Sequence, residues 1–327
     1  MWYLRCPRCG WVGEEGKYHP FCPKCGSALK LEGRLEGPEK PVLGEGNTPL
    51  ISKGGVFFKL EYLNPSGSFK DRGTAVSLWL AKRLRYSTAV EDSSGNTALS
   101  VATYGAALGI RVRLHMPATA APGKIGIAKA LGAEVVAEGS RADAAARARS
   151  EASESFYVAH LTSPVFTEGM KAVGHELCEL RGYDVFVPAS SGTLLIGVWE
   201  GLKECGGDAR LIAVQAAEAA SLKGRVRVLA EVGGPRSSLA DALVVKSPPR
   251  IDEMADAVKS SGGGVVVVGD DALRPAIKEV LRMGFIVEPS SAAVWAAYKA
   301  LKESGDVGDA VLILTGSGLK CRLWELA

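Results

Sequence analysis

From residue 56 to residue 314, short β-rich runs alternate with stretches of helical periodicity, and this alternation restricts the fold more than any other feature of the chain. The clearest strands are Val56 to Leu60, Arg111 to His115, Asp184 to Val187, Leu211 to Val214 and Val311 to Leu314. Between them lie the Ala-, Leu- and Glu-rich stretches Arg72 to Leu84, Thr97 to Leu108 and Ala272 to Met283. Strands that alternate with helices pack as α/β layers around largely parallel sheets. The alanine-rich segment Ala142 to Ala152 reads as a surface helix, and no repeat of fixed period is present. A chain of 327 residues suffices for two compact domains or one large one. Ahead of the alternation, the polar stretch Leu31 to Pro41, rich in Gly, Pro and charge, marks a domain boundary.

Composition removes several classes of function. A net charge of +3 spread over the whole chain gives no reason to expect nucleic acid. The longest aliphatic runs, Val265 to Val268 and Val311 to Leu314, fall far short of the roughly 20 apolar residues of a membrane span. The start, Trp2-Tyr-Leu-Arg-Cys6, lacks the features of a secretory signal, so a cytoplasmic location is expected.

The seven cysteines fall into two groups. Cys6, Cys9, Cys22 and Cys25 form C-x2-C-x12-C-x2-C, each pair within a Cys-Pro-Arg/Lys-Cys-Gly turn. Two such turns supply four soft ligands to a tetrahedral Zn²⁺. A redox pair or a disulfide staple is the alternative, but so short a segment with so little core needs a metal more than it needs redox chemistry. Four thiolates leave no open position, so the zinc is expected to be structural. His19 is either a substitute ligand or an exposed loop histidine. Cys178, Cys205 and Cys321 read most simply as small buried hydrophobes.

Four loops stand where open α/β sheets place ligands, after strands or at helix starts. In Asn64-Pro-Ser-Gly-Ser-Phe-Lys-Asp-Arg-Gly73, turn formers and hydroxyls lead to Lys70 at the start of a helix. The positive end of the helix dipole disfavours an ammonium there, as a Schiff-base lysine requires, although local pattern alone favours a solvated surface lysine. Asp92-Ser-Ser-Gly-Asn-Thr97 can cradle a carboxylate on free N–H groups or simply cap a helix. Val187-Pro-Ala-Ser-Ser-Gly-Thr-Leu-Leu-Ile-Gly197 runs from a strand into a Ser/Gly/Thr turn suited to phosphate, yet lacks the Gly-Lys-Ser/Thr ending of a nucleotide P-loop. Leu314-Thr-Gly-Ser-Gly-Leu-Lys320 closes the last strand.

Taken together and in this order, the four loops resemble those of the fold type II pyridoxal 5′-phosphate (PLP) enzymes, and within them the threonine synthases. The resemblance covers almost the whole chain. Gly46-Asn-Thr-Pro-Leu50 resembles the usual entry to the catalytic part, and a short N-terminal zinc element precedes that part in some relatives. It implies an α/β fold with two open α/β domains after a zinc ribbon: ribbon 1–32, large PLP-binding domain 33–84 and 181–327, small mobile domain 85–180. It makes Lys70 the PLP-bearing lysine and the proton shuttle at the substrate α-carbon. Asn96 would hydrogen-bond the PLP phenolic oxygen, while Ser93, Ser94, Gly95 and Thr97 would hold the substrate carboxylate. Ser190, Ser191, Gly192, Thr193 and Leu194 would wrap the cofactor phosphate, and Thr315 would meet the pyridine nitrogen, with Ser317 as second choice. The implied reaction converts O-phospho-L-homoserine and water to L-threonine and phosphate in a homodimer. A PLP-dependent serine/threonine dehydratase, or a cysteine or cysteate synthase-like β-replacement enzyme, uses the same lysine and loops.

Two departures bear on substrate. Many relatives have Gly-Asn where this chain has Ser190-Ser191, exchanging backbone clearance for hydroxyl donors. In some threonine synthases the segment matching Ser163 to Lys171 carries an arginine for the substrate phosphate, and the corresponding residue here is Phe166. Lys124, Lys129 and Lys171 are then the remaining candidates for that phosphate, unless the substrate carries none.

Overall fold

The computed structural model describes residues 1–93, 95–120, 122–321 and 323. Proximity of Cα atoms divides the chain into two compact units, Met1–Gly46 with Asn64–Gly169, and Asn47–Leu63 with Met170–Ala327. In chain order the strands are β1 (Trp2–Arg5), β2 (Lys30–Gly33), β3 (Leu50–Lys53), β4 (Val56–Lys59), β5 (Thr88–Glu91), β6 (Arg111–Pro117), β7 (Glu134–Glu138), β8 (Phe156–Tyr157), β9 (Asp184–Pro188), β10 (Arg210–Ala216), β11 (Val228–Val232), β12 (Gly264–Val268) and β13 (Ala310–Ile313). The helices are α1 (Lys70–Arg83), α2 (Asn96–Leu108), α3 (Pro122–Ala130), α4 (Arg141–Ser150), α5 (Pro164–Glu176), α6 (Thr193–Glu204), α7 (Ile251–Ser260), α8 (Asp270–Arg282) and α9 (Pro289–Ser304).

The first unit holds an antiparallel pair, β1 with β2, and a four-stranded parallel sheet in the order β7-β6-β5-β8. β1 and β2 frame the ribbon, whose apolar centre is only Leu4, Cys6, Cys22 and Leu29 with Trp2, Trp11, Cys25 and Leu31 against them. So small a core does not hold a fold without a staple. In the sheet, β5 has β6 on one side and β8 on the other, so the order reverses at β5, where open α/β sheets leave a crevice beyond their carboxyl ends.

The second unit is a seven-stranded sheet in the order β11-β12-β10-β9-β13-β4-β3, parallel except for β3 at its edge. Every residue of β9, β12 and β13 is buried, which is why β12 and β13 read as unbroken apolar runs rather than as alternating ones, and β9 does so after Asp184. One face packs Phe58, Phe186, Val214, Val266 and Leu312 against Ala292, Ala293, Ala296 and Ala297 of α9 and Leu273 and Ile277 of α8. Here the order reverses between β9 and β13, which pair directly.

The strands and helices expected from the alternation are present. The compact units, however, are cut differently from the expected division: residues 64–83, with α1, group with the ribbon and the four-stranded sheet, and the chain passes to the second unit at Met170 within α5. The reading of Cys178 and Cys205 as small buried hydrophobes is corrected, because the two form a disulfide with Cα atoms 6.2 Å apart. The cause is glycine packing between α5 and α6. A Cβ on Gly174 would stand 2.3 Å from the Val198 carbonyl oxygen, and one on Gly201 would stand 2.1 Å from that of Lys171. Bare backbones let the helices meet, and the cysteines just beyond their ends come within bonding reach. Cys321 is half-buried.

Candidate active site

The parallel strands deliver the loops singled out from sequence to carboxyl ends at both reversals. In the first unit, β5 ends at Glu91, and Asp92 leads through Ser93 and Gly95 to Asn96, the first residue of α2. Ser93 Oγ accepts from the Gly95 N–H at 3.2 Å and so rounds the turn, while Thr97 is buried in the first turn of the helix. Ser94 lies outside the described residues. The first N–H groups of a helix have no carbonyl one turn behind them, which leaves this turn open to an anion.

Lys70 opens α1. Its Nζ lies 4.5 Å from the ring centroid of Phe69 and 5.9 Å from that of Phe166, so two aromatic faces flank the amine. The next residue, Asp71, is fully buried and accepts from Ser66 N–H at 2.6 Å, Ser66 Oγ at 2.5 Å and Ser100 Oγ at 2.6 Å. One carboxylate therefore ties the turn before Lys70 to α2, one helical turn beyond Asn96. Ser68 Oγ, two residues before the lysine, is buried and has no hydrogen-bond partner among the described residues. An unsatisfied buried hydroxyl is costly unless a bound group meets it, which is a first sign that this turn fits a ligand.

In the second unit the phosphate-loop candidate follows β9. Gly192 adopts φ +91°, a conformation that favours glycine, and caps α6 so that the N–H groups of Thr193 and Leu194 begin the helix without internal acceptors. Ser190 Oγ accepts from Val245 N–H at 3.2 Å, and Ser191 Oγ and Thr193 Oγ1 lie 3.5 Å apart. From the neighbouring strand β13 the chain reaches Thr315, 3% exposed.

Thr315 is held by Ser291, in the first turn of α9, a residue the sequence reading missed. Ser291 Oγ accepts from Thr315 N–H at 3.1 Å and Gly316 N–H at 2.8 Å and lies 2.8 Å from Thr315 Oγ1. The two N–H groups occupy both lone pairs of Ser291 Oγ, whose own proton goes to Thr315 Oγ1 or to the Gly316 carbonyl at 3.3 Å; in either case the Thr315 proton is left for another acceptor. An unprotonated pyridine nitrogen is such an acceptor, so these residues fit PLP. The only local hint was Pro289 followed by two serines at a helix start.

In the ribbon, the sulfurs of Cys6, Cys9, Cys22 and Cys25 all lie within 4.8 Å of one another, with Cys6 to Cys25 at 3.5 Å and Cys9 to Cys22 at 3.6 Å. A tetrahedron with zinc–sulfur bonds of about 2.3 Å has edges of about 3.8 Å, so the four fit the ion. Gly10 N–H donates to the Cys6 carbonyl and Gly26 N–H to the Cys22 carbonyl, each glycine at a positive φ that closes its turn. Hydrogen bonding with the side chain and backbone of Ser27 lowers the Cys25 thiol to about 6, toward the thiolate a metal binds. His19 instead packs its ring edge against Trp11 at 5.0 Å.

Of the cations suggested for a substrate phosphate, Lys171 is paired with Glu204 at 2.8 Å and Glu200 at 3.5 Å, and Lys129 is exposed. Phe166 is fully buried.

Residues 42–316 match the family model described as pyridoxal-phosphate dependent enzyme. Threonine synthase of Methanosarcina acetivorans is 30% identical over an alignment spanning 98% of this chain and 92% of that protein. Among solved structures, the processed form of threonine deaminase isoform 2 from Solanum lycopersicum is similar, with a TM-score of 0.71 and 25% identity over 86% of this chain and 87% of that one. Cysteine synthase from Entamoeba histolytica has the same fold, with a TM-score of 0.71 and 24% identity over 90% and 92% of the two chains. None of the described helices is long and apolar enough to cross a membrane.

Proposed function

The chain belongs to the pyridoxal-phosphate dependent enzyme family, as a lyase of the fold type II class, and on that premise we propose that it is a threonine synthase. The observation that carries this reading is similarity to a threonine synthase along nearly the full length of both chains. Bound PLP supplies an electron sink for negative charge at the substrate α-carbon. Lys70 carries the cofactor and moves the proton at that carbon. Ser93, Gly95 and Thr97, with Ser94, hold the substrate carboxylate at the start of α2, and Asn96 donates to the phenolic oxygen of the cofactor. The turn Ser190 to Leu194 takes the phosphate, with Gly192 supplying the backbone conformation that turns N–H groups toward an anion. Thr315 donates to the ring nitrogen, oriented by Ser291. The net reaction takes O-phospho-L-homoserine and water to L-threonine and inorganic phosphate. The ribbon thiolates hold a structural Zn²⁺, and the enzyme works as a cytoplasmic homodimer.

A second reading rests on Phe166. Its ring lies beside the Lys70 amine where some threonine synthases carry a phosphate-binding arginine, and an apolar ring there suits an amino acid without a phosphate. That reading is a serine/threonine dehydratase or a β-replacement enzyme. Incubating the PLP-loaded protein with O-phospho-L-homoserine, while following phosphate and threonine together, separates the two. Equal release of both supports threonine synthase. No phosphate, with keto acid formed from L-serine or L-threonine, overturns it in favour of a dehydratase.

A further inference from the structure

The ribbon loop between the two cysteine pairs is packed onto the four-stranded sheet at its point of reversal. Tyr18 is buried, with its ring stacked on Phe156 at 4.2 Å between centroids. Its hydroxyl donates to the Tyr157 carbonyl at 2.8 Å and lies 3.1 Å from Ser163 Oγ. Thr162 Oγ1 donates to the Pro20 carbonyl at 2.9 Å. Phe21 packs on Val90, Ala148, Tyr157 and Ala159, with the Arg149 guanidinium 4.6 Å above its ring. The next residue is Cys22, so the position of this loop is set by the thiolate cluster.

The segment that receives the loop, residues 157–163, faces the candidate substrate loop on its other side. Tyr157 donates to Asp92 in a short hydrogen bond, and His160 Nδ1 lies 2.6 Å from Glu91 Oε1. Glu91 and Asp92 lead directly into Ser93. Between these contacts Ala159 holds φ +50°, while its carbonyl accepts from the N–H groups of Thr162 and Ser163 at 2.8 Å each. A non-glycine residue keeps that conformation only where its surroundings over-determine it, and the ribbon forms one side of those surroundings.

We propose that the ribbon is a positioning brace for the substrate side of the site. Zinc fixes Tyr18 to Phe21, these residues clamp 157–163, and Tyr157 and His160 hold the end of β5 so that Ser93, Gly95 and Thr97 keep the geometry that receives a carboxylate. Tyr18 and Tyr157 are positioning residues. The inference rests on the assignment of Ser93 to Thr97 to the substrate carboxylate and adds to it a dependence on the metal site.

The test uses the full-length, zinc- and PLP-loaded protein with O-phospho-L-homoserine or L-threonine, whichever the assay above shows to be turned over. Tyr18→Phe and Tyr157→Phe should each raise KM by roughly three- to tenfold, the worth of one hydrogen bond, while kcat changes less than about twofold. Zinc content and the visible absorption of PLP should stay unchanged, and amide hydrogen exchange of residues 91–97 should quicken. Thr162→Val cuts the contact to Pro20 from outside the ribbon and should act in the same direction even if Tyr18→Phe weakens the metal site. Ser93→Ala separates the two ideas. Unchanged KM and unchanged exchange in all three brace variants, with KM raised in Ser93→Ala, overturns the brace and leaves the loop assignment standing. Unchanged KM in Ser93→Ala overturns the loop assignment, and the brace with it.

Discussion

In the seven-stranded sheet the candidate site residues are held by neutral bonds, Ser291 to Thr315 and Gly316, Val245 to Ser190, above strands buried on both faces. In the four-stranded sheet they are held by ionisable groups: Asp71 beneath Lys70, Asp92 and Glu91 beneath Ser93, and a cysteine cluster one loop further out. Neutral hydrogen bonds around a closed core are insensitive to pH and to metal, whereas carboxylates and thiolates respond to both. The part assigned to the cofactor phosphate and ring nitrogen is thus fixed by packing, and the part that carries Lys70 and the loop assigned to the substrate carboxylate is fixed by charge.

The largest expected effect comes from the one residue without which that contrast has no chemistry. Lys70→Ala should abolish both the visible absorption of bound PLP and all turnover; an active variant would break the assignment of the cofactor. Next, replacing Cys6 and Cys9 together by Ser should remove the bound zinc measured by metal analysis and unfold the ribbon. If the substrate side alone depends on the metal, PLP absorption persists while KM rises, and loss of PLP at the same time would break the contrast. Third, Ser291→Ala orphans two buried N–H groups and should cost about 2 kcal/mol in urea unfolding, with weaker PLP binding at every pH. A pH-dependent loss would bring in Glu288, the buried carboxyl that stands against Gly316.

The smallest effect concerns Asp92. Burial, and then the charge of Glu91, raise its carboxyl from 3.8 to about 6, against the opposing influence of His160 and the hydrogen bond from Tyr157. A carboxyl raised on folding binds more protons in the native state, so its favourable contribution is complete below about 3.8 and is lost as pH rises through about 6. Asp92→Asn, which still accepts from Tyr157, should therefore flatten the pH dependence of thermal unfolding between those values. An unchanged slope would break the assignment to Asp92.

Some of this was open to inspection in the sequence, and the reasons are local. Val311 to Leu314 reads as a strand because a parallel strand covered on both faces needs no polar residue. The cysteine quartet and the lysine turn are read from chain-adjacent residues whose spacing is their geometry. The rest depends on encounters between distant residues. Ser291 meets Thr315 only because α9 starts beside the end of β13. β8 has two residues, too few for any period, yet it seats Tyr157 under Asp92. Cys178 and Cys205 are joined because Gly174 and Gly201 let two helices touch, and no spacing rule signals that. Asp71 stands in the lysine motif, but its bond from Ser100 comes from α2 and no local spacing shows it.

The Cys178–Cys205 bond has a topological consequence. The two cysteines are 27 positions apart and bracket β9, the turn Ser190 to Leu194 and α6, so the segment proposed to grip the cofactor phosphate is a covalent ring. In the chain-entropy view, closing a ring of that size removes freedom from the unfolded chain worth about 3.5 kcal/mol. A protease that cuts anywhere inside the ring adds one water to the mass and releases no fragment, because the two pieces stay joined until a reductant opens the bond.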